Sequence, residues 1–307
     1  MILCAGEALI DMLPRESAAG EPAFAPHVGG AVLNTAVALA RLGRPTAFFS
    51  GISTDLFGAQ IAGVLKADGV DVSWSHRSDR PTTLAFVTLT GGQAKYAFYD
   101  ENTAGRMLAE ADIPHDIAAE ACFFGGISLA VEPCADTYEA LSARLAPGMP
   151  MMIDPNVRPG FIRDRDAYTA RIWRMIGRAD VVKISDEDLD WLIAGGTLED
   201  KARAVLDRGP SLVCLTRGAE GATGITRQHS VPVASRRVTV VDTVGAGDTF
   251  NAGLLASLSE QGLLTKAAIG ALPAEAIEAA LSLGAAAAAV TVSRAGANPP
   301  RRDELTA

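Results

Sequence analysis

Two hydrophobic patterns alternate along the chain: short apolar runs, and longer segments in which apolar residues recur every three or four positions. The short runs predict buried strands and the longer segments predict amphipathic helices. From residue 121 onward, strands are predicted at 121–124, 151–154, 181–184, 212–216 and 238–241, and helices at 133–145, 166–176, 186–193, 198–207, 249–258, 263–269 and 274–292. This alternation predicts an α/β fold with a doubly wound, mostly parallel sheet flanked by helices.

The first 101 residues depart from this regularity. Strands are predicted at 2–13 and 46–52, helices from Gly29-Gly30 to Leu42 and from an Asp55 N-cap to Gly69, and extended segments at 70–74, 82–89 and 95–99. The apolar-polar alternation of these extended segments predicts an antiparallel sheet with one exposed face and a hairpin turn at Gly91-Gly92. Together with segment 14–28, an irregular or short-stranded excursion, this sheet predicts a flap off the main sheet of a single domain of residues 1–307.

Composition narrows the classes of protein that the chain can represent. A net charge of −9 disfavours a nucleic-acid partner, which would need a clustered positive surface. The four cysteines are far apart and in no metal-ligand spacing, as expected of reduced thiols in the cytoplasm, at Cys4, Cys122, Cys134 and Cys214. The apolar N-terminal stretch lacks a basic leader and segment 285–292 is too short to span a bilayer, so we expect no membrane partner.

The stretch VVDTVGAGDTFN at 240–251 joins a predicted strand to a predicted helix through a glycine-bearing turn. Free backbone amides at such a helix start bind anions, phosphate above all. Asp248 lies in the same place, and its carboxylate would repel phosphate unless it had another task, such as accepting a proton. The stretch therefore predicts phosphoryl transfer at this loop.

Polar residues also lie at the ends of several other predicted strands. They include Asp11, the segment 154–158, Lys183 with Asp188, and the segment 216–221. Because the carboxyl ends of parallel strands lie along one edge of a sheet, a row of such residues predicts a ligand site. A turn-capping role for Asp11 and a simple glycine turn at Gly29-Gly30 are the structural alternatives.

These motifs together resemble the ribokinase-like (PfkB) carbohydrate kinases. The resemblance is carried by DTVGAGDTFNAG at 242–253, the Gly29-Gly30 pair with Asn34, GISTDLFG at 51–58, DPNVR at 154–158 and TRGAEG at 216–221, in the order and spacing of that family. It covers nearly the whole chain. It implies a doubly wound α/β domain with a small β-sheet lid formed by residues 12–26 and 79–101. It also implies an ATP-dependent sugar kinase that needs Mg²⁺ and, as in some members, a monovalent cation such as K⁺.

The resemblance also implies roles for individual residues. Asp248 would accept the proton of the sugar hydroxyl, and the anion hole for the phosphoryl group would be formed by the amides of Gly245, Ala246 and Gly247. The sugar would be held by Asp11, Gly29, Gly30, Asn34, Tyr99 and Arg158. ATP would lie along Asn156, Arg158, Lys183, Thr216, Gly218, Gly221 and Gly247. The carbonyls of Asp242 and Val244 match the monovalent-cation position of the family.

Two departures from the family pattern affect the metal and the sugar. Asp188 stands where many relatives carry a longer glutamate, so it would reach Mg²⁺ through water or after a shift. Leu9 replaces the strand-one asparagine of ribokinases, and GEALID at 6–11 resembles fructokinases instead. Fructose is therefore the expected acceptor.

Other functions are weighed against this prediction. 2-Keto-3-deoxygluconate, or another small sugar or riboside, is the alternative acceptor. Asp100 disfavours the carboxylate of 2-keto-3-deoxygluconate, although Arg106 or Arg158 could compensate. A non-catalytic sugar or nucleotide sensor is disfavoured by Asp248. A nicotinamide-dependent oxidoreductase is rejected because no G-x-G-x-x-G follows the first strand. The exposed face of the lid could pair two copies into a homodimer.

Overall fold

The computed structural model describes residues 1–90 and 93–305. Its strands are β1 Ile2–Ala5, β2 Leu9–Glu16, β3 Pro22–Gly29, β4 Thr46–Phe49, β5 Gly51–Ser53, β6 His76–Ser78, β7 Leu84–Thr90, β8 Gln93–Tyr99, β9 Ala121–Gly125, β10 Met151–Asp154, β11 Val181–Ser185, β12 Leu212–Thr216, β13 Ala222–Ile225 and β14 Ser230–Val233. The central sheet has the order β14-β13-β12-β11-β10-β9-β1-β4. It is parallel from β12 to β4, and β13 and β14 are added antiparallel at one edge.

Helices cover both faces of this sheet. They are α1 Ala31–Arg41, α2 Leu56–Ala67, α3 Cys134–Leu145, α4 Arg165–Ile176, α5 Asp186–Leu192, α6 Leu198–Leu206, α7 Ala246–Glu260, α8 Lys266–Ile269 and α9 Ala274–Val292. Along β1, Ile2 and Cys4 pack into the core under α1, α7 and α9, whereas Leu3 and Ala5 pack into the core under α3, α4 and α6. A strand buried on both faces has this alternation. The predicted doubly wound α/β fold is confirmed.

Helix α9 is long and apolar enough to cross a membrane by length and composition alone. About 50% of its apolar window is buried inside the protein, and the helix packs against α7 and the edge strands β13 and β14. Its burial and packing are therefore those of a core helix.

A second, four-stranded sheet has the order β3-β2-β7-β8, and we call it the small sheet. Strands β2 and β3 form an antiparallel pair, β2 runs parallel to β7, and β7 pairs antiparallel with β8. These strands occupy the two regions that the sequence assigns to a lid. The predicted turn at Gly91-Gly92 lies outside the described residues.

The single strand predicted at 2–13 is wrong. The chain forms β1 in the central sheet and β2 in the small sheet, separated by Gly6, Glu7 and Ala8. The Tyr138 hydroxyl donates to the Gly6 carbonyl, which fixes the chain at this break. Both strands are apolar at the break, so the hydrophobic run continues across it and hides the change of sheet. Of the two predictions for segment 14–28, irregular or short-stranded, the second is confirmed, because the segment completes the β2–β3 pair.

Two further predicted strands are absent from the described residues. Segment 70–74 forms only one bridge, between Ala47 and Asp71. Segment 238–241 belongs to no sheet of the described residues, and its valines Val238, Val240 and Val241 are 41–61% exposed. β-Branched residues favour a pleated, half-buried surface, and this segment lies beyond the edge strand β14. The Val241 amide instead donates to the Val292 carbonyl at the end of α9.

Candidate active site

The loop before α7 positions the start of that helix. Gly245 is its N-cap, with a φ of 78°, and α7 begins at Ala246, three residues before the predicted start at Thr249. A side chain at Gly245 would be strained and would place a Cβ 2.8 Å from the Cβ of Ala297, so the turn requires glycine. Ala246, Gly247 and Asp248 thus form the first turn. The Ala246 amide donates to the Thr243 carbonyl over 3.3 Å. The amides that follow it lie at a helix start, where backbone amides lack intrahelical partners and can bind an anion.

The Asp248 side chain is buried, with 7% exposure, and points back toward α1. Asn34 Nδ2 donates to Asp248 Oδ2 over 2.9 Å, and the Thr35 hydroxyl donates to the Asp248 carbonyl over 3.2 Å. Burial raises the pKa of Asp248 to about 7, and the nearby charge of Asp154 adds to this, against the lowering effects of Asn34 and Lys183. A buried carboxyl group with this pKa is suited to accept a proton near neutral pH.

Asp154 ends β10 beside this turn and is fully buried, with 1% exposure. Its Oδ2 accepts from Lys183 Nζ over 3.0 Å and from Asn251 Nδ2 over 2.8 Å. Lys183 Nζ lies 3.2 Å from the place where a Cβ on Gly247 would be. Burial would lower the pKa of Lys183, but Asp154 and Asp188 outweigh it and raise that pKa. A charged ammonium group therefore faces the first turn of α7.

Asp188 lies in the first turn of α5, with its amide capped by the Ser185 hydroxyl. Its Oδ1 accepts from the Val157 amide over 3.0 Å, and its side chain is buried. Burial and then the charge of Asp154 raise the pKa of Asp188 to about 6. Residues 1–90 and 93–305 contain no group of three or more His, Cys, Asp or Glu side chains that could hold a metal. Mg²⁺ is usually held by one or two carboxylates plus substrate phosphates, so the second oxygen of Asp188 fits this ion.

Asp11 and the glycine pair meet where the small sheet joins α1. A Cβ on Gly29 would lie 2.3 Å from Asp11 Oδ2, and one on Gly30, where φ is 112°, would lie 2.8 Å from the Glu7 carbonyl. Burial raises the pKa of Asp11 to about 6. The expectation that Asp11 ends a central strand is wrong, because it lies within β2 of the small sheet.

Tyr99 is not brought to this group. Asp11 pairs with Ala85, and Ala85 pairs with Phe98, so Phe98 shares the Asp11 face of the small sheet. Tyr99, one residue further on, lies on the opposite face and is 63% exposed. The predicted substrate contact of Tyr99 therefore disagrees with the register of the strands.

A cleft of about 850 Å³ opens beside the first turn of α7. It is lined by residues with a predicted ATP or phosphate role, namely Thr216, Gly218, Gly221, Ala246 and Gly247, and by an apolar wall of Phe250, Ala285, Ala288, Ala289 and Val292. A Cβ on Gly221 would lie 2.2 Å from the Val233 carbonyl, so this turn also requires glycine.

The remaining predicted nucleotide and cation residues are not among those that line this cleft. Asn156 has a left-handed backbone, with φ of 45°, and Arg158 is exposed and donates to the Val157 carbonyl. The Asp242 carboxylate accepts from the amides of Val244 and Gly296, which ties the loop to the C-terminal segment.

Sequence reasoning assigned no individual role to three residues of the site, Glu7, Asp154 and Asn251. Glu7 accepts from the amides of Ala31 and Ser128 and so holds the start of α1. Asp154 and Asn251 lie inside the motifs DPNVR and DTVGAGDTFNAG. Their place in those motifs was the available signal, but nothing in the sequence shows that the two side chains meet.

The fold and the site define a phosphoryl-transferring enzyme of the α/β class, because a proton acceptor, free helix-start amides and a cleft lie together at one sheet edge. Residues 1–304 match the sequence profile of the pfkB family carbohydrate kinases. The chain belongs to this family. The predicted ATP-dependent carbohydrate kinase is thereby confirmed.

Individual relatives agree with this assignment. The chain is 55% identical over 279 residues to a fructokinase of Rhizobium leguminosarum bv. trifolii, covering 90% of this chain and 85% of that protein. A fructokinase of Xylella fastidiosa with bound ATP is similar in structure, with a TM-score of 0.89, 32% identity and coverage of 99% and 96%. A fructokinase double mutant of Vibrio cholerae O395 with fructose, ADP and potassium ion has a TM-score of 0.87, 29% identity and coverage of 99% and 96%.

Proposed function

We propose that this chain is a fructokinase that transfers the γ-phosphate of ATP to a hydroxyl of fructose. The observation that carries the proposal is the buried Asp248 carboxyl group, held by Asn34 within the first turn of α7. The fructokinase names of the similar proteins support fructose as the acceptor.

The roles of the site residues follow from their chemistry. Asp248 accepts the proton of the attacking hydroxyl, and the amides of Gly245, Ala246 and Gly247 stabilise the charge on the phosphoryl group. Lys183 adds a positive charge at the same place. ATP occupies the cleft bounded by Thr216, Gly218 and Gly221. Asn156 and Arg158 are also assigned to the nucleotide.

The sugar and the ions are assigned to the groups around Asp248. Asp11, Gly29 and Gly30 bind sugar hydroxyls, with Asn34 shared between the sugar and Asp248. Mg²⁺, when bound with the nucleotide, neutralises phosphate charge, and Asp188 is the residue that would hold it, directly or through water. The carbonyls of Asp242 and Val244 are assigned to K⁺, an ion present in the Vibrio cholerae fructokinase structure.

One ion pair favours a neutral sugar over 2-keto-3-deoxygluconate. Arg106 Nη1 donates to both carboxylate oxygens of Asp100, over 2.9 and 3.0 Å, and its Nε donates to the Glu132 carbonyl. Arg106 is therefore engaged and does not offer a free charge to a substrate carboxylate.

One assay tests the proposed function. ADP production is measured with Mg-ATP and fructose, 2-keto-3-deoxygluconate, ribose or a nucleoside. We expect the highest kcat/KM with fructose. A higher value with 2-keto-3-deoxygluconate would assign that acceptor instead, and ATP binding without turnover of any sugar would assign a sensor.

Three proposals concern the molecule as a whole. The small sheet acts as a lid over the sugar, because it carries Asp11 on a strand outside the central sheet, and its outer face pairs two copies into a homodimer. We also propose that the protein acts in the cytoplasm, since its four cysteines are free and buried.

A further inference from the structure

Asp154 connects three elements of the site through one carboxylate oxygen. It ends β10, its Oδ2 accepts from Lys183 of β11, and the same oxygen accepts from Asn251 of α7. Asn251 follows Asp248 by three residues, so it lies one turn further along the helix that begins at the anion site. The position of the Asp154 carboxylate is thus fixed from both sides.

Lys183 needs this partner. Its side chain is only 5% exposed, and a buried ammonium group without a counter-ion is strongly unfavourable. The Asp154 carboxylate is its only ion-pair partner within 4.0 Å in residues 1–90 and 93–305, although Asp188 and Asp248 also act on its charge. The pair holds the ammonium nitrogen beside Gly247.

The pairing is not explained by stability alone. Asp154 Oδ1 and Asn251 Oδ1 are both buried and have no hydrogen-bond partner within residues 1–90 and 93–305, which is a cost that a purely structural network avoids. A buried ion pair is also weak evidence for stability, because desolvation offsets the attraction between the charges. An arrangement that is imperfect as a structural network is common where function sets the geometry.

We propose that Asp154 is a positioning residue, which holds the Lys183 ammonium group at the first turn of α7 to meet the charge of the transferring phosphoryl group. This inference deepens the proposed function and depends on it. Asp154 itself touches neither substrate. Asp154 affects catalysis through Lys183. Asn251 holds the Asp154 carboxylate in a fixed position relative to α7, the helix that carries Asp248.

A double-mutant cycle tests this dependence. The variants are Asp154→Asn, Lys183→Met and the double variant, and kcat is measured with saturating ATP and sugar. We expect Asp154→Asn to lower kcat by about 10- to 100-fold and Lys183→Met by about 100- to 1000-fold, the scale seen when one charge-stabilising donor is removed. The double variant should match Lys183→Met within about threefold, because residues that act as one unit are not additive.

Asp180→Asn is the matched control. Asp180 also pairs with a lysine, Lys266, over 2.7 Å, and accepts from the Met151 amide at the start of β10. It lies at the opposite end of that strand from Asp154. We expect Asp180→Asn to leave kcat within about twofold of the parent value even if it lowers the melting temperature.

A second readout needs no turnover. The ratio of the Kd of ADP to that of a non-hydrolysable ATP analogue measures how well the site binds the terminal phosphate. We expect this ratio to fall about tenfold in Asp154→Asn. Should Asp154→Asn not fold, Asn251→Ala, which removes one of the two contacts to the carboxylate, should lower kcat in the parent but not in the Lys183→Met background.

Three outcomes would overturn the proposal. They are fully additive effects on kcat, an unchanged kcat in folded Asp154→Asn, and a nucleotide ratio that does not move. The proposed function fails separately, when the parent protein turns over no sugar, and the nucleotide ratio then still decides whether Asp154 acts through Lys183.

Discussion

The Asp248 carboxyl group is subject to two opposing effects. The positive end of α7 favours its ionised form, and burial in the site disfavours it. The sequence predicts the first effect, because it shows a carboxylate beside a helix start. It does not show the depth of burial, which raises the pKa to about 7 and outweighs the helix. Residue identity at this site was therefore predictable, but the balance of energies around it was not.

Asp248→Asn is predicted to abolish most of the activity while stabilising the fold. Losing one proton acceptor lowers kcat by about 10²- to 10⁴-fold, and binding of ATP is retained. The pKa of Asp248 rises from its ordinary 3.8 to about 7 in the folded state, so its contribution to stability is fully present below pH 3.8 and is lost as pH rises toward 7.

This difference in pKa corresponds to about 4 kcal/mol against the ionised group in the folded protein above pH 7. The melting temperature of Asp248→Asn should therefore exceed that of the parent at pH 8 and approach it near pH 4. A variant that is fully active, or less stable than the parent at pH 8, would contradict the assignment.

The pH dependence of kcat/KM should report the same group. We expect kcat/KM to fall by about tenfold per pH unit below pH 7, because only ionised Asp248 accepts a proton. Asp11 and Asp188, whose pKa values are raised to about 6, can add a second, lower ionisation. Asn34→Ala distinguishes them, since Asn34 donates to Asp248 and lowers its pKa. The ionisation at the higher pH in the kcat/KM profile should move to a still higher pH in this variant. If it does not move, it belongs to another residue.

At the scale of elements, the hydrophobic pattern predicted the strands that are buried on both faces. It failed where the composition of a segment does not match its environment. The run from Ile2 to Leu13 reads as one strand because both β1 and β2 are apolar, and only the contacts of Gly6 and Glu7 reveal the break. The valines of 238–241 have strand-like composition but are exposed. The sequence does not reveal the register of the strands either. Tyr99 lies one residue beyond the Asp11 face and therefore points to the opposite face of the small sheet.

The sequence predicted the helix-capping role of Asp55 correctly but did not reveal its second role. As the predicted N-cap of α2, its Oδ1 accepts from the Gly58 amide over 2.7 Å. It also accepts from the amide and the hydroxyl of Thr82, just before β7, over 2.8 and 2.6 Å. Asp55 thus ties the start of α2 to the entry of the small sheet.

Asp55→Ala should destabilise the protein by about 1–2 kcal/mol for the lost cap alone, with Asp55→Asn as the control that retains a capping oxygen. Burial opposes ionisation of Asp55, but the hydrogen bonds from Thr82 and Gly58 outweigh it and lower its pKa. Its stabilisation is therefore fully present above pH 3.8 and is lost as pH falls through the lowered value. Urea denaturation at pH 7 and pH 3 should show the Asp55→Ala difference shrinking at the lower pH; an equal difference at both would contradict this account.

At the scale of the whole molecule, the two faces of the small sheet have different surroundings. One carries Asp11 and Phe98 toward the site, and Phe98 packs on Phe161 with ring centroids 4.2 Å apart. The other carries an outer aromatic row of Phe24, Phe86 and Tyr99, with adjacent centroids 5.0 and 5.4 Å apart. The chain order of strands and helices predicted that such a sheet exists, but which face is covered depends on register.

The outer aromatic row is the basis of the predicted homodimer. Phe24 is 43% and Tyr99 63% exposed, and clustered exposed aromatic side chains mark interaction surfaces more often than scattered ones do. A second copy is the proposed occupant, because an aromatic row on a sheet face can pack on itself about a two-fold axis. Phe24→Ser with Tyr99→Ser should raise the dimer Kd by at least about 30-fold, the effect of losing a buried aromatic contact.

Val241→Ser is the control for this last prediction, since Val241 is also 61% exposed but lies beside α9, on the central-sheet side of the molecule. Sedimentation equilibrium of the parent, the control and the double variant compares their association directly. The parent and Val241→Ser should sediment as dimers at concentrations where the double variant is monomeric. A parent protein that is monomeric at about 100 μM, or a double variant that still dimerises with the parent affinity, would rule out this face, because an interface that buries aromatic anchors loses most of its affinity without them.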